Sequence, residues 1–204
     1  MKKFYLIAVL ALALPTAVFA GSNVDYTNSG GTLSGSSEGL SLSGSVLVAV
    51  NGLNGGGLIS GPNLGSLSFA TGALTSGSLQ MGGTFAAGGW FTITGNGKDG
   101  IPDGTLFSGA FSAPVTWTMI TLANGTHNYT LTGTLSGTTG TGASVQGVTV
   151  QLTVNTGKGY FNGSTRISSG DTNISTVVPE PGSLTLMGTG LIGLGSLIRR
   201  RLRA

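Results

Sequence analysis

The sequence predicts an all-β body, an antiparallel β-sandwich or partly open barrel of about eight to ten strands, followed by a C-terminal transmembrane helix. Three observations predict it. Apolar residues alternate with Ser and Thr at period two through much of residues 21–169, the pattern of half-buried antiparallel strands. Asn-Gly and Gly-Gly dipeptides separate the alternating runs, where tight turns need backbone that tolerates positive φ. No segment before residue 182 shows a helical period. Glycine is abundant, 38 in 204 residues, and such a composition can mean a flexible low-complexity tract. Sustained alternation is what such a tract lacks.

The strands follow in order. Val24–Asn28 is short. From Leu40 to Val50 the even positions carry Leu40, Leu42, Val46, Val48 and Val50, with Ser41, Ser43 and Ser45 opposite. Leu64–Ala70, Ser78–Phe85 and Trp90–Thr94 are shorter candidates. Thr105 to Thr121 is the longest run, with Phe107, Phe111, Val115, Trp117 and Met119 on one parity and Ser108, Ser112, Thr116 and Thr118 on the other. Tyr129, Leu131 and Leu135 alternate with threonines, and Val148, Val150, Leu152 and Val154 do the same. Gly159–Ile167 is the last candidate. Turns are expected at Asn51-Gly52, Asn54-Gly55, Gly82-Gly83, Gly88-Gly89, Asn96-Gly97, Asn124-Gly125 and Asn162-Gly163. A β-solenoid is the alternative architecture, although no fixed repeat period is present. Phe69, Phe91, Phe107, Phe111, Trp117, Tyr129 and Phe161 are the expected core aromatics. A domain of this size buries about two-thirds of its unfolded surface, enough for a core without disulfides.

Both ends read as targeting segments. Lys2 and Lys3 precede eleven apolar residues, Phe4 to Leu14, then Pro15 and Val18-Phe19-Ala20. Residues 1–20 therefore form a signal peptide, with export through the Sec translocon and cleavage between Ala20 and Gly21. Eleven residues are too few to span a hydrocarbon core of about 30 Å as a helix. At the other end, residues 179–181 read Pro-Glu-Pro, residues 182–198 are uncharged and mostly apolar, and Arg199, Arg200 and Arg201 follow. A helix over 182–198 would span about 25 Å, the short limit for crossing a bilayer. The arginine cluster over 199–203 would stay cytoplasmic and leave the body periplasmic, anchored to the inner membrane before any processing. The domain organisation is thus a signal peptide over 1–20, an all-β exported domain over 21–169, a linker over 170–178 and a tail over 179–204.

The tripartite tail resembles the PEP-CTERM sorting signal of Gram-negative bacteria. The resemblance covers Pro179, Glu180, Pro181, the short Gly/Leu-rich helix and the arginines, and nothing before them. It implies recognition by exosortase, removal of the tail, and passage to the cell surface or an exopolysaccharide matrix. It also implies that Pro179, Glu180 and Pro181 are the recognition residues. Prolines on both sides of Glu180 hold the segment extended and free of helix, so an enzyme at the membrane surface can reach it.

Charge and composition exclude several classes of function. The net charge is +3, yet six of the nine basic residues lie in the terminal segments. Residues 21–178 hold Lys98, Lys158 and Arg166 against Asp25, Glu38, Asp99, Asp103 and Asp171. Nucleic acid is excluded as a partner, because no cluster of cations can displace phosphate counterions. The chain has no cysteine, which removes disulfides, thiolate nucleophiles and Cys-based zinc sites.

The remaining chemistry is sparse, and neither a cofactor nor a catalytic residue is expected. His127, the one histidine, sits at a turn entering a strand and is expected to be exposed. Asp99 and Asp103 form a weak calcium candidate, since calcium wants six to eight oxygens and the upstream positions are Gly95 and Gly97. Gly95–Gly100 matches GxGxxG, but no helix follows to meet a pyrophosphate. Trp90 alternates against Phe91 and Ile93, so it is the candidate ligand platform on an outer sheet face. The expected function is that of a non-enzymatic surface or matrix protein associated with exopolysaccharide. Alternatives are a carbohydrate-binding module built on Trp90, a self-assembling β surface protein, and a simple inner-membrane-anchored periplasmic protein.

Overall fold

The computed structural model describes residues 23–175, and they form one all-β unit. Thirteen strands are present among them: β1 (Asn23–Ser29), β2 (Thr32–Ser36), β3 (Gly39–Asn51), β4 (Ile59–Ala70), β5 (Leu74–Ser78), β6 (Gly82–Phe85), β7 (Gly88–Asn96), β8 (Asp103–Phe111), β9 (Val115–Thr121), β10 (His127–Thr139), β11 (Ser144–Asn155), β12 (Ser164–Arg166) and β13 (Ser169–Ser175). The signal peptide, the Ala20–Gly21 bond, the Pro179-Glu180-Pro181 motif, the helix expected over 182–198 and Arg199–Arg201 lie outside the described residues. No helix among the described residues is long and apolar enough to cross a membrane.

Eight strands close into an antiparallel barrel in the order β1, β3, β4, β7, β8, β10, β11, β13 and back to β1. Every neighbour in that ring is also the next barrel strand along the chain, so the barrel is an up-and-down meander. The expected partly open barrel is thus closed, and the solenoid alternative falls. Closure comes from β13, which pairs β1 on one side and β11 on the other. The segment expected as a linker over 170–178 is therefore strand through Ser175. Its alternation of buried Gly170, Thr172 and Ile174 with outward Asp171 and Asn173 is short and polar, which hid it in the sequence.

The other five strands elaborate the connections at one end. β2 lies between β1 and β3, the β5–β6 hairpin between β4 and β7, β9 between β8 and β10, and β12 between β11 and β13. β2 pairs β3 and β12, while β9 extends from β10 to β6 and on to β5. The run expected as one strand from Thr105 to Thr121 breaks at Ser112–Pro114. Buried parity continues across the break, from Phe111 to Val115, and this made two strands read as one. Likewise Ser78–Phe85 spans the turn of the β5–β6 hairpin.

All seven expected core aromatics are buried, none more than 2% exposed, and Phe85 and Tyr26 join them. Inside the barrel Phe69, Phe91, Phe107 and Phe111 form one cluster. Phe69 stacks on Phe91 at 5.7 Å, and Phe111 meets Phe69 and Phe91 edge-on at 5.8 and 6.1 Å. A Cβ at Gly133 would sit 2.8 Å from the Phe111 ring, so only glycine lets β10 pass so close. At the elaborated end Trp117 stacks on Tyr129 at 5.0 Å, with Phe161 edge-on to Trp117 at 5.6 Å.

Outward positions are mostly Ser, Thr and Gly, paired across strands as in the Ser66–Thr94 hydroxyl contact of 2.7 Å. The alternation runs opposite to that of a membrane barrel, whose apolar side chains face lipid.

Candidate functional site

The end opposite the elaborated connections is a simple mouth. The β3–β4 connection with its 3-10 turn (Leu53–Gly55), the β7–β8 loop and the β10–β11 hairpin surround it. The first and last described residues, Asn23 and Ser175, pair at the same end. A cavity of about 460 Å³ opens there. Val24, Leu53, Leu106 and Ile174 line its inner wall beside Tyr26, while Asn54, Pro102 and Asp103 stand among its outer lining. Tyr26 is only 2% exposed, and burial pushes its phenol pKa up to about 12. Thr172, its register partner on β13, carries a buried hydroxyl without a hydrogen-bond partner among the described residues.

Asp103 opens β8 opposite Asn96 and is one of the outer residues of this cavity. Asp99 lies in the preceding loop at φ +54°. The loop is pinned by the Lys98 N–H donating to Asn96 Oδ1 at 3.2 Å and the Ile101 N–H donating to the Lys98 carbonyl at 2.8 Å. No three His, Asp or Glu side chains gather into a metal-binding group among the described residues. The Asp99/Asp103 calcium candidate is left with two carboxylates, one on the β7–β8 loop and one on the first residue of β8.

Trp90 projects outward from β7 and is 48% exposed, opposite Ala70 of β4. The residues sharing its face on the adjacent turns of pleat are Ser68 and Thr92, so no row of aromatics accompanies it. The other half-exposed ring, Tyr160, lies flat on His127 at 4.4 Å.

His127 itself is 7% exposed, which corrects the expectation of an exposed strand-entry histidine. Its Nδ1 lies 3.1 Å from the Thr121 hydroxyl, and Tyr160 covers it. A neighbour on β9 and a ring from the β11–β12 loop bury what local sequence left open.

An outward carboxylate pair was not visible in the sequence. Asp25 of β1 faces Asn173 of β13, and Asp171 stands opposite Thr27. The two carboxylates are thus diagonal neighbours on one face. Burial first, and then the Asp171 charge, hold the Asp25 pKa above its ordinary range. Only recognition of β13 as a strand brings the two together, since they lie far apart along the chain.

Residues 177–201 match the family model described as the PEP-CTERM protein-sorting motif. That match implies processing by exosortase and a cell-surface or extracellular destination. No curated protein and no solved structure matches the chain.

Proposed function

We propose that the chain is a non-enzymatic surface or matrix protein that associates with exopolysaccharide after its tail has been processed. The observation that carries this reading is the pairing of the sorting motif at residues 177–201 with a barrel whose outer face is Ser- and Thr-rich. Residues 21–178 hold nine ionisable Asp, Glu, Lys, Arg and His side chains in all. Such a face hydrogen-bonds to hydrated sugar without the indiscriminate charge attraction that a lysine-rich surface has for anionic polymer. The inner-membrane helix serves before processing, with the body periplasmic.

The test is the intact mass of the native protein together with the cell fraction that holds it. A species beginning at Gly21, lacking the arginine cluster, and co-sedimenting with exopolysaccharide supports the reading. A species that keeps residues 182–204 in the inner membrane overturns it and leaves an anchored periplasmic protein.

A second reading is carbohydrate recognition at Trp90, favoured by its outward exposure. Trp117 is the only other tryptophan and is buried, so a fluorescence change on adding polysaccharide reports Trp90. A response unchanged in Trp90→Ala removes that reading.

A further inference from the structure

The barrel is filled unevenly. Four phenylalanines pack the middle of the β4–β7–β8 wall, whereas the β1–β13 wall carries Val24, Tyr26, Thr172 and Ile174 inward. An eight-stranded barrel is just wide enough for its own side chains or one small ligand, and the interior of a folded protein leaves few voids larger than a water molecule. A cavity of about 460 Å³ at the mouth falls within the roughly 300–1,000 Å³ of small-molecule sites.

Its lining specifies a chemistry. Val24, Leu53, Leu106 and Ile174 offer an aliphatic wall, and Ile174 and Leu106 are nearly fully buried. The Tyr26 hydroxyl has no hydrogen-bond partner among the described residues. With its phenol pKa pushed up to about 12, it stays protonated and a donor at any physiological pH. Among the lining residues the one ionisable carboxylate is Asp103, and there is no Lys or Arg. An anionic ligand would meet repulsion without a counter-charge, and a cation would have to shed water against the aliphatic wall.

We propose that the mouth cavity binds a neutral, mainly aliphatic molecule that presents one oxygen acceptor to the Tyr26 hydroxyl. The site lies within the barrel and does not rest on how the tail is processed or on what the outer face binds.

The full chain, held in lipid nanodiscs, is irradiated with a diazirine-bearing decanol, and labelled peptides are located by mass spectrometry. Labelling is expected on peptides containing Leu53, Leu106 and Ile174, competed by decanol but not by decanoate. Tyr26→Phe should weaken the competition by decanol roughly three- to tenfold, the worth of one neutral hydrogen bond, while leaving the melting temperature unchanged. Ala143→Trp, an exposed substitution on the β10–β11 hairpin at the cavity, should cut labelling several-fold. Labelling spread in proportion to surface exposure overturns the proposal, as does equal competition by decanoate. If Ala143→Trp fails to fold, an unaltered affinity in Tyr26→Phe is sufficient to overturn it.

Discussion

Asn23 and Ser175 face each other across the β1–β13 pair, so the chain enters and leaves the barrel at one point, beside its mouth. The five added strands lie in the connections at the opposite end. The first and last strand residues of the barrel and the loops that elaborate it therefore lie at different ends of the sheet. The seam where the barrel shuts is made by its final seven residues, Ser169–Ser175.

That seam gives a truncation test. A chain stopped after Ser175 should unfold in one cooperative transition with an intact near-UV spectrum. One stopped after Ser168 loses both ladders of β13 and the buried Ile174, leaving β1 and β11 with bare edges. Broad, non-cooperative melting and concentration-dependent aggregation are expected for it. A sharp melt at the same temperature as the longer chain would mean that closure contributes nothing to stability.

At the elaborated end the Tyr129 hydroxyl ties three elements together. It donates to the Gln80 carbonyl at 2.6 Å and accepts from the Phe161 N–H at 3.1 Å. Tyr129→Phe keeps the ring stacked on Trp117 but leaves a buried N–H and a carbonyl unpaired. A loss of about 1–3 kcal/mol in urea unfolding is expected, the cost of an unsatisfied buried group. Trp117 fluorescence should report the same transition, because its indole N–H donates to the neighbouring Leu79 carbonyl at 2.9 Å.

Two glycines should respond in opposite ways to the same substitution. At Gly65 (φ +155°) a Cβ would lie 1.9 Å from the Thr94 carbonyl oxygen, which is backbone and cannot swing aside. Gly65→Ala must push β4 from β7 and should cost several kcal/mol, or on the order of the 1–3 kcal/mol of an overpacked core at the least. At Gly57 nothing lies within 4 Å and φ is not in the left-handed region. Gly57→Ala should be neutral or slightly stabilising, since alanine reduces the freedom of the unfolded chain. Thermal melts of the two variants side by side decide this.

What the sequence made legible follows from which interactions are local. Strand identity and inward parity depend on neighbours two residues apart, so Phe69, Phe91, Phe107, Phe111, Trp117 and Tyr129 could be assigned to the core. Phe161 is buried as expected, but from the β11–β12 loop and not from a strand over Gly159–Ile167, and in β3 the parity slips after Gly44, which turns Ser45 and Leu47 inward in place of Val46 and Val48. The sorting motif is contiguous and equally readable. Closure depends on Asp171 and Thr172 meeting Thr27 and Tyr26 across most of the chain, and no local pattern marks that. The mouth cavity was hidden for the same reason, because Leu53, Leu106 and Ile174 converge only in the folded barrel. Trp90 could be placed on an outer face, but the Ser68 and Thr92 beside it showed only in the register.

The Asp25–Asp171 pair makes stability depend on pH in a direction opposite to that of most carboxylates. Burial first and Asp171 second raise the Asp25 pKa from its ordinary value of 3.8, so the folded state holds the proton more tightly than the unfolded one. Stability linked to this group is fully present below the unfolded pKa and is lost as pH rises through the higher folded value. Wild type and Asp25→Asn should therefore converge at the acid end of a denaturation series from about pH 3 to about pH 7 and separate toward neutral pH, with the variant the more stable there. Asp171→Asn should close only part of the gap, because it removes the smaller cause and leaves the burial of Asp25 in place. Taking the difference between each variant and the wild type at every pH cancels the titration of the remaining carboxylates. A gap that is constant across the series, or one that favours the wild type at neutral pH, would show that Asp25 carries no such penalty.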